Sequence, residues 1–89
     1  MTEKQLITQL NAFCRKNKII KIKLSDPNFT GLPDYLLIQP HGEHIYVELK
    51  GDGGRLSERQ EYVHKQLRGR GCKVFVLWGS LEVLEKMLT

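Results

Sequence analysis

Two short apolar segments with a turn between them constrain this chain more than any other feature. Leu32-Pro33-Asp34-Tyr35-Leu36-Leu37-Ile38 and Ile45-Tyr46-Val47-Glu48-Leu49-Lys50 read as strands, and His41-Gly42-Glu43 reads as the turn. Side chains alternate across a strand, so Glu48 and Lys50 share one face. Paired as a hairpin, the two strands let Asp34 lie beside Glu48. Two carboxylates and an ammonium then meet at one point. Carboxylates suit a hard divalent cation, and such a cation makes water a nucleophile at neutral pH. The lysine can hydrogen-bond that water or neutralise charge on a phosphate. The set fits hydrolysis of a phosphodiester. An Asp and a Glu-x-Lys on an exposed strand are also commonly a solvated cluster, so the flanking residues decide.

Those flanks are Gly31-Leu32-Pro33-Asp34, Val47-Glu48-Leu49-Lys50-Gly51, and Leu56-Ser57-Glu58-Arg59-Gln60, in that order. Together they resemble the virus-type replication-repair nuclease (VRR-Nuc) family, a branch of the PD-(D/E)xK nucleases. The resemblance runs over nearly the whole chain, with Cys72 to Trp78 as the late strand. It implies a small restriction-endonuclease-like core of the α/β class. It also implies a Mg2+- or Mn2+-dependent DNA endonuclease and no organic cofactor. Asp34 and Glu48 would hold the metal, with the backbone carbonyl of Leu49 as an added ligand. Lys50 would orient the attacking water or stabilise the phosphate in the transition state. Glu3 would complete the metal shell, directly or through water, and Gln60 would position water, metal or DNA. Small stand-alone members of the family are expected to be homodimers acting on branched DNA such as four-way (Holliday) junctions.

Eighty-nine residues make one domain, 1–89. A chain this short buries a modest fraction of its surface, and dimerisation would add to its stability. The formal charge of +4 favours a polyanionic partner. Cys14 and Cys72 lie far apart and form no C-x-x-C pair, which argues against a zinc site. They read as small buried hydrophobes. The polar N-terminus lacks a signal-peptide apolar region, and no apolar run reaches the roughly 20 residues of a membrane span. A cytoplasmic protein is expected.

Along the chain, Thr2 and Gln5 form a candidate capping box, followed by Leu6, Leu10 and Phe13 at helical spacing. Glu3 lies at the end of that stripe, either toward the core edge or toward solvent. Ile19 to Leu24 reads as a strand in which Ile20, Ile22 and Leu24 alternate with Lys21 and Lys23. Ser25 to Thr30 is a loop. Ser57 is a candidate N-cap for a helix running to about Arg68, with Leu56, Val63 and Leu67 as its apolar stripe. Gln60 falls on that stripe and so faces the sheet or its rim; its replacement by leucine is expected to keep or raise stability. Lys73 to Trp78 is an apolar strand. Ser80 caps a short last helix marked by Leu81, Leu84 and Leu88. The order is α-β-β-β-α-β-α, with a mixed four-stranded sheet flanked by helices.

The basic residues near the proposed site, Arg55 and Arg59, are candidates for phosphate contact along with Ser57, and such contacts carry no base specificity. Arg55 is the strongest, because the glycine-rich Gly51–Gly54 segment places it next to the site. His41, His44 and His64 are too scattered for a metal cluster; His64, four after Gln60, could flank the groove. Trp78 reads as a packing residue. Tyr35 and Tyr62 are open between packing, dimer contact and DNA. Two other readings stand beside the nuclease: a DNA-binding module that keeps the fold without useful catalysis, and a dimerisation domain of a phage or replication complex.

Overall fold

The computed structural model describes residues 1–87. The elements are α1 (Glu3–Lys16), β1 (Ile20–Lys23), β2 (Tyr35–Ile38), β3 (His44–Lys50), α2 (Glu58–Gly69), β4 (Lys73–Trp78) and α3 (Glu82–Met87). This is the expected order. The strands form one sheet in spatial order β1-β2-β3-β4. The β1–β2 and β2–β3 pairs are antiparallel, and β3–β4 is parallel. Parallel neighbours require a crossover; here it contains α2, which packs on β4.

Both long helices begin with the same chemistry. At α1 the Gln5 N–H donates to Thr2 Oγ1 at 3.1 Å, and the Thr2 N–H donates to Gln5 Oε1 at 2.8 Å. At α2 the Gln60 N–H donates to Ser57 Oγ at 3.0 Å, and the Ser57 N–H donates to Gln60 Oε1 at 2.9 Å. These bonds satisfy donors that a helix start would otherwise leave unpaired.

One face of the sheet carries the main core. Leu6, Leu10 and Cys14 of α1 pack with Leu37 of β2, Ile45, Val47 and Leu49 of β3, and Leu77 of β4. Leu81 and Leu84 at the C-terminal end close the same cluster. Burying each leucine stabilises the fold by about 1.5–3 kcal/mol, and Leu6→Ala or Leu10→Ala would cost about 2–5 kcal/mol. Because β3 is an inner strand with α2 above its other face, Glu48 on that other face is also removed from water.

Several sequence expectations need correction. The strand expected from Leu32 begins only at Tyr35. Pro33 has no N–H to give to a ladder, and Gly31 has φ +88°, outside strand geometry. Gly31 also lies where a Cβ would come within 2.8 Å of the Arg59 carbonyl oxygen, so the loop leading to Asp34 lies directly against α2. The isoleucines of β1 face outward: Ile20 is 61% and Ile22 41% exposed. Trp78 is 49% exposed, not packed, and Cys72 is only half-buried. Ser80 Oγ does accept from the Glu82 N–H at 3.0 Å, while Leu88 lies outside the described residues. No helix among the described residues is long and apolar enough to cross a membrane.

Candidate active site

The β2–β3 register sets Tyr35 opposite Val47. One residue outward, that register sets Asp34 opposite Glu48. Asp34 Oδ2 accepts a hydrogen bond from the Leu49 N–H at 2.8 Å, so the carboxylate is pinned to the backbone of β3 just beyond the end of β2. The Lys50 carbonyl accepts from the Gly79 N–H at 2.8 Å, toward β4. Backbone groups alternate in direction along a strand, so the Leu49 carbonyl points the other way, to the Asp34 side.

Glu48 is 1% exposed. Its Oε2 accepts from Gln60 Nε2 at 3.3 Å and lies 3.6 Å from Lys50 Nζ. Its Oε1 lies 3.8 Å from Nε2 of His64, whose side chain is fully buried. Burial, then the nearby Asp34 carboxylate, push the Glu48 carboxyl up to about 7, against the opposing pull of Lys50. Ionised Glu48 is therefore short of positive charge.

Glu3 is exposed at the first turn of α1. Its charge reaches the site's neighbourhood: burial first, then the charges of Asp34 and Glu3, raise the pKa of the Tyr35 hydroxyl. Among the described residues, no three His, Cys, Asp or Glu side chains converge as a metal cage.

The phosphate-contact candidates are less free than their types suggest. Arg55 is exposed on the segment after Gly54. Ser57 Oγ is engaged in the cap of α2. Arg59 Nε donates to the Thr30 carbonyl at 3.2 Å, and its guanidinium lies 5.6 Å from the Phe29 ring centre and 5.5 Å from that of Tyr62. Arg59, Phe29 and Tyr62 border a cleft of about 450 Å³ that also includes Leu32, Gln66 and Arg70; none of Arg55, Ser57, Asp34, Glu48 and Lys50 lines it.

The structure buries His64 beside Glu48. Its spacing from Gln60 was the available signal, since residues four apart share a helix face. What the spacing could not supply was burial.

The comparisons with known proteins agree with this geometry. Residues 2–81 match the family model of the VRR-NUC domain. The chain belongs to the VRR-NUC family. A solved VRR-NUC domain superposes with a TM-score of 0.80 at 28% identity, covering 99% of this chain and 96% of the other. The chain is also 35% identical over 75 residues to the provisionally named nuclease p44 of Acyrthosiphon pisum secondary endosymbiont phage 1. That match spans 84% of this chain and 76% of the phage protein. The VRR-NUC fold is thus present from the first helix to the last, and the chain is a nuclease domain.

Proposed function

We propose that this VRR-NUC chain is a Mg2+- or Mn2+-dependent DNA endonuclease that cleaves phosphodiester bonds by hydrolysis. The observation that carries the reading is the pairing of Asp34 with a buried Glu48 whose Oε2 is shared by Gln60 and Lys50. The donor set fits a hard divalent cation: two carboxylates and the Leu49 carbonyl are oxygen ligands. Glu48 Oε1 has no hydrogen-bond partner among the described residues, and the raised Glu48 pKa marks a place where a cation would relieve repulsion between the carboxylates. When bound, the cation supplies Lewis-acid stabilisation of the phosphate and eases deprotonation of water.

The chain's own groups do the rest. Lys50, held beside Glu48, sits where an ammonium can hydrogen-bond the attacking water or take up charge on the phosphate as the ester bond breaks. Gln60 restrains Glu48 Oε2 and has a side chain suited to orienting water or DNA. Glu3 contributes to the metal shell, directly or through water. Arg55, Arg59 and Ser57 contact DNA phosphates, which gives affinity without base reading. Branched DNA such as a four-way junction fits best, with recognition by shape. A cytoplasmic homodimer fits this substrate, since cutting two strands calls for two sites at a fixed separation. The exposed Ile20 and Ile22 are consistent with further association of the chain.

The test is a panel of labelled four-way, three-way, flap and linear DNAs, each incubated with Mg2+ or Mn2+. The reading expects metal-dependent cuts, strongest on the four-way junction. No cleavage on any substrate with either ion would overturn it in favour of a binding module.

A further inference from the structure

Among the described residues, three buried side-chain atoms have no hydrogen-bond partner: Glu48 Oε1, His64 Nδ1 and His64 Nε2. Such atoms are uncommon in folded proteins and call for an explanation. Here they belong to two side chains that face each other. His64 Nε2 lies 3.8 Å from Glu48 Oε1, about 0.9 Å longer than an ordinary N–H···O bond. The other oxygen of Glu48 already has Gln60 and Lys50 beside it. One half of the carboxylate is therefore restrained and the other half is open toward an imidazole.

His64 does not read as a metal ligand itself. Among the described residues it joins no group of three that could hold an ion, and hard cations of the proposed kind favour oxygen. A neutral imidazole carries a single N–H. Which nitrogen carries it is set by the partner the ring faces. Glu48 Oε1, an acceptor when ionised, selects Nε2.

Resting on the nuclease reading of Asp34 and Glu48, we propose that His64 is a positioning residue. Its Nε2 faces Glu48 Oε1 across 3.8 Å, and closing that gap to an Nε2–H···Oε1 hydrogen bond would fix the carboxylate in the orientation that receives the divalent cation. Groups that orient metal ligands in this way typically change metal affinity by about 10- to 100-fold when removed. The imidazole would do for Oε1 what Gln60 does for Oε2.

The experiment compares the wild type with His64→Gln and His64→Leu. A glutamine can place its amide N–H near the position of Nε2, whereas leucine fills space without a donor. Mn2+ affinity is measured by calorimetry, thermal midpoint by scanning calorimetry, and junction cleavage across a Mn2+ titration. Leucine should weaken Mn2+ binding by about 10-fold or more, leave the protein folded, and give a cleavage defect that added Mn2+ corrects. Glutamine should restore affinity to within a few-fold of wild type. Should His64→Leu fail to fold, His64→Met carries the same comparison, its unbranched chain adapting to irregular space. Leucine or methionine binding Mn2+ as tightly as wild type, or glutamine as weak as they are, would overturn the role of His64 alone. A wild type that binds no Mn2+ would overturn the nuclease reading with it.

Discussion

Gln60 joins the start of a helix to a buried carboxylate: its Oε1 accepts from the Ser57 N–H at 2.9 Å while its Nε2 donates to Glu48 Oε2 at 3.3 Å. One amide thereby caps α2 and restrains Glu48. This changes the outcome expected for Gln60→Leu. Leucine on the helix stripe would add apolar contact, but it would open the capping box. The variant should lose about 0.5–1 kcal/mol of stability, seen as a lower thermal midpoint, together with most junction cleavage. Gln60→Glu should keep the cap and still lose activity, because a carboxylate cannot donate to Glu48. Full turnover in both variants would remove Gln60 from the site.

Asp34→Asn and Glu48→Gln should each leave a folded, DNA-binding protein and lower cleavage by more than ~100-fold, beyond what loss of a supporting partner alone costs. Each change removes a metal-binding charge at nearly constant shape. Circular dichroism, DNA binding without metal, and single-turnover cleavage separate the effects. Near wild-type cleavage by either variant would count against that residue's assignment.

Lys50→Ala should lose most cleavage yet bind Mn2+ about as well as wild type, since an ammonium is not a ligand. Lys50→Arg should recover only part of the rate, because a planar guanidinium does not reproduce a compact ammonium. A loss of Mn2+ affinity in Lys50→Ala equal to that of Glu48→Gln would contradict this division of roles.

The pH dependence follows from Glu48. Its folded pKa of about 7 lies above the ordinary 4.5, so the folded state holds the proton more tightly than the unfolded chain. That contribution to stability is fully present below pH 4.5 and is lost as pH rises through about 7. His64, with a pKa lowered from 6.5 by burial, acts in the opposite sense, and its contribution falls away as pH drops below 6.5. The difference between wild type and Glu48→Gln isolates the carboxyl. Without metal, the variant should gain midpoint relative to wild type between pH 5 and 8. Added Mn2+ should stabilise the wild type most at the alkaline end, where no proton has to be displaced. A flat difference curve would refute the shift.

Particular residues explain how far the sequence could be read. The Asp34–Glu48 pairing was legible because a short turn joins the two strands, and alternation then dictates the faces. Asp34 itself lies outside the regular strand, a boundary that Pro33 marks in the sequence. The orientation of β1 was not legible. Alternating Ile and Lys ordinarily put isoleucine inward, but Ile20 pairs with Ile38 and Ile22 with Leu36, on the face where α2 packs on β4 and reaches Glu48 of β3, leaving both isoleucines exposed. Lys21 takes the opposite face, with Nζ 4.2 Å from the centre of the buried Tyr35 ring. Local pattern cannot say which part of a sheet a helix will cover. The same limit hid the burial of His64, which depends on how α2 docks and not on its own spacing.

The parallel pairing of β3 with β4 also sets an order of assembly. The hairpin that presents Asp34 and Glu48 is local and can form from neighbouring segments. The helix that brings Gln60 and His64 over Glu48 packs on β4, the last strand of the sheet in chain order. A chain released before Lys73 would therefore have both carboxylates without the strand that seats their cover, leaving Glu48 open to water and its oxygens unrestrained. Cutting competence would arrive late, with the closing of the crossover, so a growing or partly unfolded chain would carry the acidic pair without an assembled site.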